Sequence, residues 1–203
     1  MLFEDTYRTI AKPAEGTFKD RGSKFIAFAY PITSEGDIKA IVNKLKAEHT
    51  KANHHCWAMR LSPDRSVFRV NDDGEPSGTA GRPILNALLS HNLTNIIIVV
   101  VRYFGGTLLG VPGLINAYKN AAEEAIKVSN IIEKVVTDVY SIRFDYALMN
   151  EVMRVVKQEG LEVLRQLSDE RCELHVGVRK SHVERVLPLF HLLHGVEIKW
   201  MPI

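Results

Sequence analysis

The sequence predicts an α+β protein built from two domains. Its 203 residues are 46% apolar and 25% charged, as is typical of a globular chain with enough apolar side chains for a core. Strand and helix patterns surround a wholly apolar run at residues 96–101. A regular β-α-β-β-α-β order begins at residue 135. We therefore place the domains at residues 1–134 and 135–203.

The N-terminal domain combines strands with three helices. Gly22 marks a bend between the first two strands. The run at residues 96–101 is almost wholly β-branched and has no polar face, so we expect this strand to be central and covered on both sides. Strands are predicted at residues 17–20, 23–30, 55–61, 67–70 and 96–101, and helices at residues 37–48, 83–91 and 113–128.

The C-terminal domain is predicted from the order of its elements. Strands at residues 135–144, 162–167, 171–178 and 196–201 alternate with helices at residues 148–159 and 181–194, and a turn occupies residues 168–170. This β-α-β-β-α-β order is the ferredoxin-like one. Pro188 lies inside the second helix and is expected to kink or interrupt it.

Composition and termini exclude several classes of protein. The net charge of +2 indicates no general affinity for nucleic acid or membranes. Cys56 and Cys172 are too few for a disulfide framework and fit a reducing compartment. The N-terminal residues lack the apolar region of a signal peptide. The longest apolar run is far shorter than the roughly 20 residues of a membrane span. We predict a cytoplasmic protein without a membrane partner.

A first glycine-rich loop carries an acidic triplet, Asp72, Asp73 and Glu75. Close carboxylates can hold Mg²⁺ or act as a general acid and base. They can equally accept hydrogen bonds from loop N–H groups or pair with an arginine, which is a structural role. The residues alone leave both interpretations open.

The end of this loop, Gly78-Thr79-Ala80-Gly81, runs directly into a helix start. Free N–H groups and the helix dipole make such a start a candidate anion site, with Thr79 alternatively a simple capping residue. The spacing is not that of a P-loop, and no dinucleotide-binding pattern follows a strand. We expect no cofactor.

A second glycine-rich loop begins with Arg102-Tyr103-Phe104-Gly105-Gly106 and reaches Gly110. Arg102 cannot lose its charge and needs an acid or an anion. It either latches onto the acidic triplet or forms a phosphate clamp with Lys24 and Arg82. Tyr103 and Phe104 either stack nucleic-acid bases or act as lids over the core.

The remaining reactive residues form no recognisable catalytic or metal site. His54, His55 and Cys56 offer soft ligands, but no second Cys/His pair has zinc spacing. Neither a nucleophile–base signature nor a hydrolase, protease or kinase motif is present. We therefore predict no catalytic residue and no metal ligand.

Four motifs in order resemble the YigZ/IMPACT family: Arg21-Gly22-Ser23-Lys24-Phe25, His55-Cys56-Trp57-Ala58, residues 71–81, and Arg102–Gly106 with Leu109-Gly110. The match covers about residues 1–130. The resemblance implies a ribosomal-protein-like βαβ domain, similar to one of elongation factor G, and a ferredoxin-like domain similar to that factor's last. It also implies translational control, in which eukaryotic members act by competing for the activator of a starvation-responsive kinase. Some relatives carry a proline dipeptidase label, but the necessary metal ligands are not visible here.

Three functional hypotheses follow. The leading one is a non-enzymatic protein that binds RNA, the ribosome or a translation-related protein and modulates translation; its near-neutral charge favours shape-directed or protein-mediated binding. The second is a Mg²⁺-dependent enzyme acting on a phosphorylated substrate, with Asp72 and Asp73 as metal ligands and Gly78–Gly81 as phosphate site. The third is a protein-interaction module that uses an exposed Leu108-Leu109 pair.

Overall fold

The computed structural model describes residues 5–168 and 170–201 and confirms the predicted α+β class. The outermost residues of both predicted domains, and residue 169 of the predicted turn, lie outside the described residues. Residues 7–134 form one compact unit, and Asp5, Thr6 and residues 135–201 form another. None of the described helices combines the length and apolar character that a membrane crossing requires.

The unit of residues 7–134 is built on antiparallel strands and three helices. Its elements are β1 (Thr6–Ile10), β2 (Ala14–Asp20), β3 (Ser23–Pro31), α1 (Gly36–Glu48), β4 (His54–Leu61), β5 (Val67–Asn71), α2 (Gly81–Ser90), β6 (Ile96–Tyr103), α3 (Gly110–Lys127) and β7 (Ile131–Val135). Five strands form one sheet in the order β2-β3-β6-β4-β5, in which all neighbours are antiparallel. β3 and β4 are therefore parallel and separated by β6, the β-α-β connection that the resemblance implies. β1 and β7 pair in a separate two-stranded sheet.

β6 is the central strand, as its apolar run predicts, and residues 96–102 of it are buried. Successive side chains point to opposite faces of a sheet, so each half of the run enters a different core. Ile96, Ile98 and Val100 pack in the core that contains α2 and α3. Ile97, Val99 and Val101 pack in a second core beneath α1, around its one buried residue, Leu45.

Two strands of this unit are missing from the sequence prediction. β1 and β7 have five residues each and pair with one another, although they stand at opposite ends of this unit in the sequence. No local turn joins them, so neither strand carries the hairpin signal that identifies β4 and β5. The strand predicted at residues 135–144 begins only at Thr137, because the backbone of Val136 instead bonds Asp5 and Lys180.

The second unit has the predicted ferredoxin-like order. Its elements are β8 (Thr137–Phe144), α4 (Met149–Gln158), β9 (Glu162–Ser168), β10 (Cys172–Arg179), α5 (Val183–His191) and β11 (Glu197–Met201), with short 3-10 turns before both helices. The strands form an antiparallel sheet arranged β11-β8-β10-β9. The core of this unit lies between one face of the sheet and the two helices. Pro188 lies within α5 and does not end it, since the helix continues to His191.

Candidate functional site

The carboxylate of Asp72 occupies the helix start that the sequence offers as an anion site. It accepts hydrogen bonds from the backbone N–H groups of Gly78 at 2.9 Å, Ala80 at 3.1 Å and Gly81 at 2.8 Å. These donors are the groups that an external anion would use at the N-terminus of α2. Asp72 is therefore an internal cap, and the phosphate-site interpretation of Gly78–Gly81 loses its free donors.

Asp73 is held by β4 and α1. One carboxylate oxygen accepts the N–H of His55 at 2.7 Å, and the other lies 3.1 Å from Lys46 Nζ. The Asp73 carbonyl oxygen accepts Nδ1–H of His54 at 2.9 Å. Asp72 and Asp73 thus point to separate partners. Across residues 5–168 and 170–201, no three His, Cys, Asp or Glu side chains converge as a metal site requires.

Glu75, the third acid, is the partner of Arg102. Arg102 Nη1 lies 2.5 Å from Glu75 Oε1, and the two side chains are only 6% and 4% exposed. The Tyr118 hydroxyl donates to the same oxygen at 2.8 Å. Arg102 therefore forms the latch, an ion pair that connects the two glycine-rich loops, and not an anion site. Thr79 supports the acidic loop as well, since its hydroxyl donates to the Pro76 carbonyl oxygen at 2.6 Å.

Two aromatic rings enclose the Arg102 guanidinium. Its central carbon lies 5.4 Å from the ring centre of Phe25 and 5.6 Å from that of Phe104, within the range of cation–π attraction. Its buried Nε has no hydrogen-bond partner in the described structure. Lys24 and Arg82 are exposed and make no ion pair within the described residues. Because Arg102 is paired with Glu75, the alternative of a phosphate clamp formed with Lys24 and Arg82 loses its central cation.

Cys56, a buried residue of the core, contacts both the acidic loop and Tyr118. Its thiol lies 2.9 Å from the Asp72 carbonyl oxygen and 3.3 Å from the Tyr118 hydroxyl. Burial raises the pKa of the Cys56 thiol and of the Tyr118 hydroxyl. Both groups are neutral at physiological pH, so Cys56 lacks the thiolate that a nucleophile needs.

The second glycine-rich loop is packed against the turn between β2 and β3. A Cβ atom at Gly105 would lie 1.9 Å from the carbonyl carbon of Gly22, so only glycine fits there. The Gly105 N–H also donates to Ser23 Oγ at 3.2 Å. Gly106 has a φ of 84° and faces open space. Two motifs far apart in sequence thus form one continuous surface.

Tyr103, the last residue of β6, and Phe104, which follows it, have their rings on opposite faces of the sheet. The Tyr103 hydroxyl lies 2.8 Å from His49 Nδ1, on the face that carries α1. Phe104 instead covers Arg102 on the other face. The two rings therefore do not form a single stacking platform.

The α1-side face of β2 and β3 brings together basic and aromatic side chains, and we call it the basic–aromatic face. Lys19 and Lys24 are direct cross-strand partners, and Lys24 is also opposite Tyr103. Its basic and aromatic side chains are Lys19, Lys24, Phe28, Tyr30, His49 and Tyr103, and Glu15, opposite Phe28, is an acidic side chain on the same face. Only Lys24 and Tyr103 are among the residues predicted from the motifs. The alternation of Lys24, Phe28 and Tyr30 along one strand is the signal in the sequence that identifies the others.

A cleft of about 380 Å³ opens beside the latch. Leu108 is 82% exposed at its rim, whereas Leu109 is buried, so the predicted exposure of this pair is correct for Leu108 alone. Arg102 and Glu75 form part of its wall. The cleft is lined by Asn53, His54, Glu75, Pro76, Arg102, Phe104, Leu108, Leu109, Gly110, Val111 and Leu114.

Comparison with known proteins identifies the family. Residues 21–126 match the model of the Impact N-terminal domain. A Haemophilus influenzae protein described as an IMPACT family member is 35% identical over 164 residues, which cover 80% of each chain. The IMPACT family member YigZ of Escherichia coli is 33% identical over 150 residues, which cover 73% of this chain and 74% of YigZ.

The likeness extends to a solved structure and to the whole chain. A crystal structure described as that of a hypothetical protein superposes with a TM-score of 0.72 at 27% identity, covering 99% of this chain and 98% of the other. The resemblance inferred from the four motifs is confirmed. The chain belongs to the IMPACT family.

Proposed function

We propose that this chain is a non-enzymatic cytoplasmic protein that binds RNA, free or in the ribosome, and thereby modulates translation. The basic–aromatic face is its contact surface. The observation that carries this proposal is the direct cross-strand pairing of Lys19 and Lys24 beside aromatic rings. Neither lysine has an acidic partner within the described residues.

Like charges directly opposite each other across two strands repel and destabilise the sheet. A polyanion placed over Lys19 and Lys24 removes this repulsion and gains two phosphate contacts. Aromatic side chains on an open sheet face are also a recurrent platform for unpaired RNA bases. Tyr103, Phe28 and Tyr30 lie on the face with the lysines and are half-buried, so part of each ring is accessible.

The proposal assigns a structural role to most of the residues in the two glycine-rich loops. Asp72, Glu75 and Arg102 are engaged with the protein itself, and they hold the loops in place. Gly105 lets the second loop pack against the turn that precedes Lys24. Lys24 and Tyr103 remain as predicted contact residues, now joined by Lys19, Phe28 and Tyr30.

Family membership supports a role in translation. The resemblance implies that eukaryotic members act in translational control, and that bacterial members resemble nucleic-acid- or ribosome-binding proteins in fold. A net charge of +2 favours modest, salt-sensitive affinity. The Mg²⁺-dependent enzyme has less support, because Asp72 caps a helix and Asp73 is bonded to β4 and Lys46.

The test is a double substitution, Lys19→Ala with Lys24→Ala, measured by fluorescence anisotropy with a single-stranded RNA oligonucleotide and by co-sedimentation with ribosomes. Each lost phosphate contact lowers the slope of log affinity against log salt by ~0.7, so we expect a drop of about 1.4. The matched control, Lys119→Ala with Lys127→Ala, removes the same charge from exposed positions on α3. Equal losses in the two variants, or no loss in either, would refute the assignment of this face.

A further inference from the structure

We propose that the cleft beside the Arg102–Glu75 latch binds a segment of a partner protein that presents a leucine or phenylalanine side chain together with a carboxylate. This site is separate from the basic–aromatic face, because Phe104 and Tyr103 point to opposite faces of the sheet. It gives the chain a second, protein-directed contact in addition to RNA.

The cleft wall is mainly apolar and is already formed. Its lining includes Leu109 and Leu114, which are buried, together with Pro76 and Phe104. A volume of about 380 Å³ accommodates one large side chain with its flanking backbone. The packed walls and the latch fix the shape of the cleft, so little ordering is needed on binding.

Exposed aliphatic side chains surround the opening. Val111 and Ile115 are four residues apart on α3 and therefore lie on one side of it, and Leu108 lies just before the helix begins at Gly110. All three are exposed, and Phe104, exposed to 45%, adjoins them. A group of exposed apolar side chains beside a cleft is a candidate contact for another protein. Most of these exposed side chains are aliphatic and Phe104 is the one aromatic ring among them, which favours a protein side chain over stacked nucleobases here.

The charge of the cleft favours an acidic segment. The first residues of α3, Gly110 and Val111, line the cleft, and the N-cap residue of this helix, Leu109, supplies no side-chain hydrogen bond to them. Unbonded N–H groups and the helix dipole give that end partial positive charge. Arg102 lies in the same wall with its buried Nε lacking a hydrogen-bond partner in the described structure. Glu75 is neutralised by Arg102, so a ligand carboxylate meets no free negative charge in the latch.

The experiment titrates the isotopically labelled full chain with short synthetic peptides and follows backbone amide signals by NMR. One peptide carries leucine and phenylalanine flanked by aspartate. Matched peptides replace the acids by lysine, or the two apolar residues by alanine. We expect the acidic apolar peptide to shift the amides of Gly110 and Val111, and to bind roughly tenfold more tightly than either matched peptide.

Leu108→Asp should reduce the affinity for that peptide by roughly tenfold, since it removes a buried contact and adds a repelling charge. Leu192→Asp is the matched control, because Leu192 is 75% exposed in the other unit. Equal binding of all three peptides, equal effects of the two substitutions, or shifts of the same amides by single-stranded RNA alone would overturn the proposal. Dimerisation that Leu108→Asp abolishes would also overturn it, by showing that a second copy fills the cleft.

Discussion

Arg102 Nη1 lies 2.5 Å from Glu75 Oε1, and this ion pair is almost completely buried between the two glycine-rich loops. The pair connects the end of the central strand β6 to the acidic loop that precedes α2. Tyr118 and Cys56 extend it into the core through the hydroxyl and the thiol. A buried ion pair therefore holds the two loops in their observed conformation.

Glu75→Leu leaves Arg102 buried and without its partner. Removing one member of a buried ion pair destabilises a protein by about 3–5 kcal/mol, and we expect a loss of this size in urea denaturation. The double variant Arg102→Leu with Glu75→Leu should lose less than the single one, because no uncompensated charge remains. Strictly additive losses from the two single substitutions would contradict a direct latch.

Asp72→Ala removes the acceptor of three backbone N–H groups at the start of α2. Loss of a helix cap costs up to about 2 kcal/mol, and we expect the upper end of that range here. Asp72→Asn keeps one acceptor oxygen and should lose distinctly less. Chemical denaturation of the three proteins measures this order, and equal stability of Asp72→Ala and the wild type would contradict it.

Gly105→Ala should be far more destabilising than Gly106→Ala. At Gly105 the added methyl group would lie 1.9 Å from the Gly22 carbonyl carbon, so the loop must separate from the turn. At Gly106 the methyl group meets nothing within 4 Å, and the φ of 84° alone costs about 1–2 kcal/mol. Thermal unfolding of the two variants compares them, and a similar fall in Tm for both would argue against close packing of the loop and the turn.

Glu173 should make the stability of the C-terminal unit depend on acid pH. The Ser141 hydroxyl, with His175 and Arg143, lowers the pKa of Glu173 from 4.5 to about 2. A lowered pKa in the folded state means that the stabilisation is complete above pH 4.5 and is lost as the pH falls towards 2. Urea titrations over this range should show a declining free energy of unfolding. Glu173→Gln should flatten that decline, and an unchanged pH profile would contradict the assignment.

A strand or helix is predictable from the sequence when its own pattern of apolar residues shows which of its side chains are buried. The apolar run of β6 identifies a central strand without any knowledge of its neighbours, and alternation along β10 identifies one face of the second sheet. β1 and β7 are five-residue strands that pair with each other in a two-stranded sheet, so their stability depends on a contact between distant segments. Local patterns carry no such information.

The candidate site is likewise predictable from the sequence only in part. The sequence identifies Arg102 as a charge that needs a partner, and it offers three nearby acids. The choice of Glu75 depends on the path of the loop, in which Asp73 has a φ of 41° and Gly74 one of 90°. That path turns Asp72 towards α2 and Asp73 towards β4. The three-dimensional path of the loop therefore decides whether Arg102 pairs with an acid or binds a phosphate.

An NMR titration of the isotopically labelled chain with a single-stranded RNA oligonucleotide at low salt shows directly whether RNA binds to the basic–aromatic face. If it does, amide shifts centre on Lys19, Lys24, Phe28 and Tyr103, and added salt reverses them. No shift in β2 and β3, with RNA bound elsewhere or not at all, would contradict the claim that the basic–aromatic face is the RNA-binding surface.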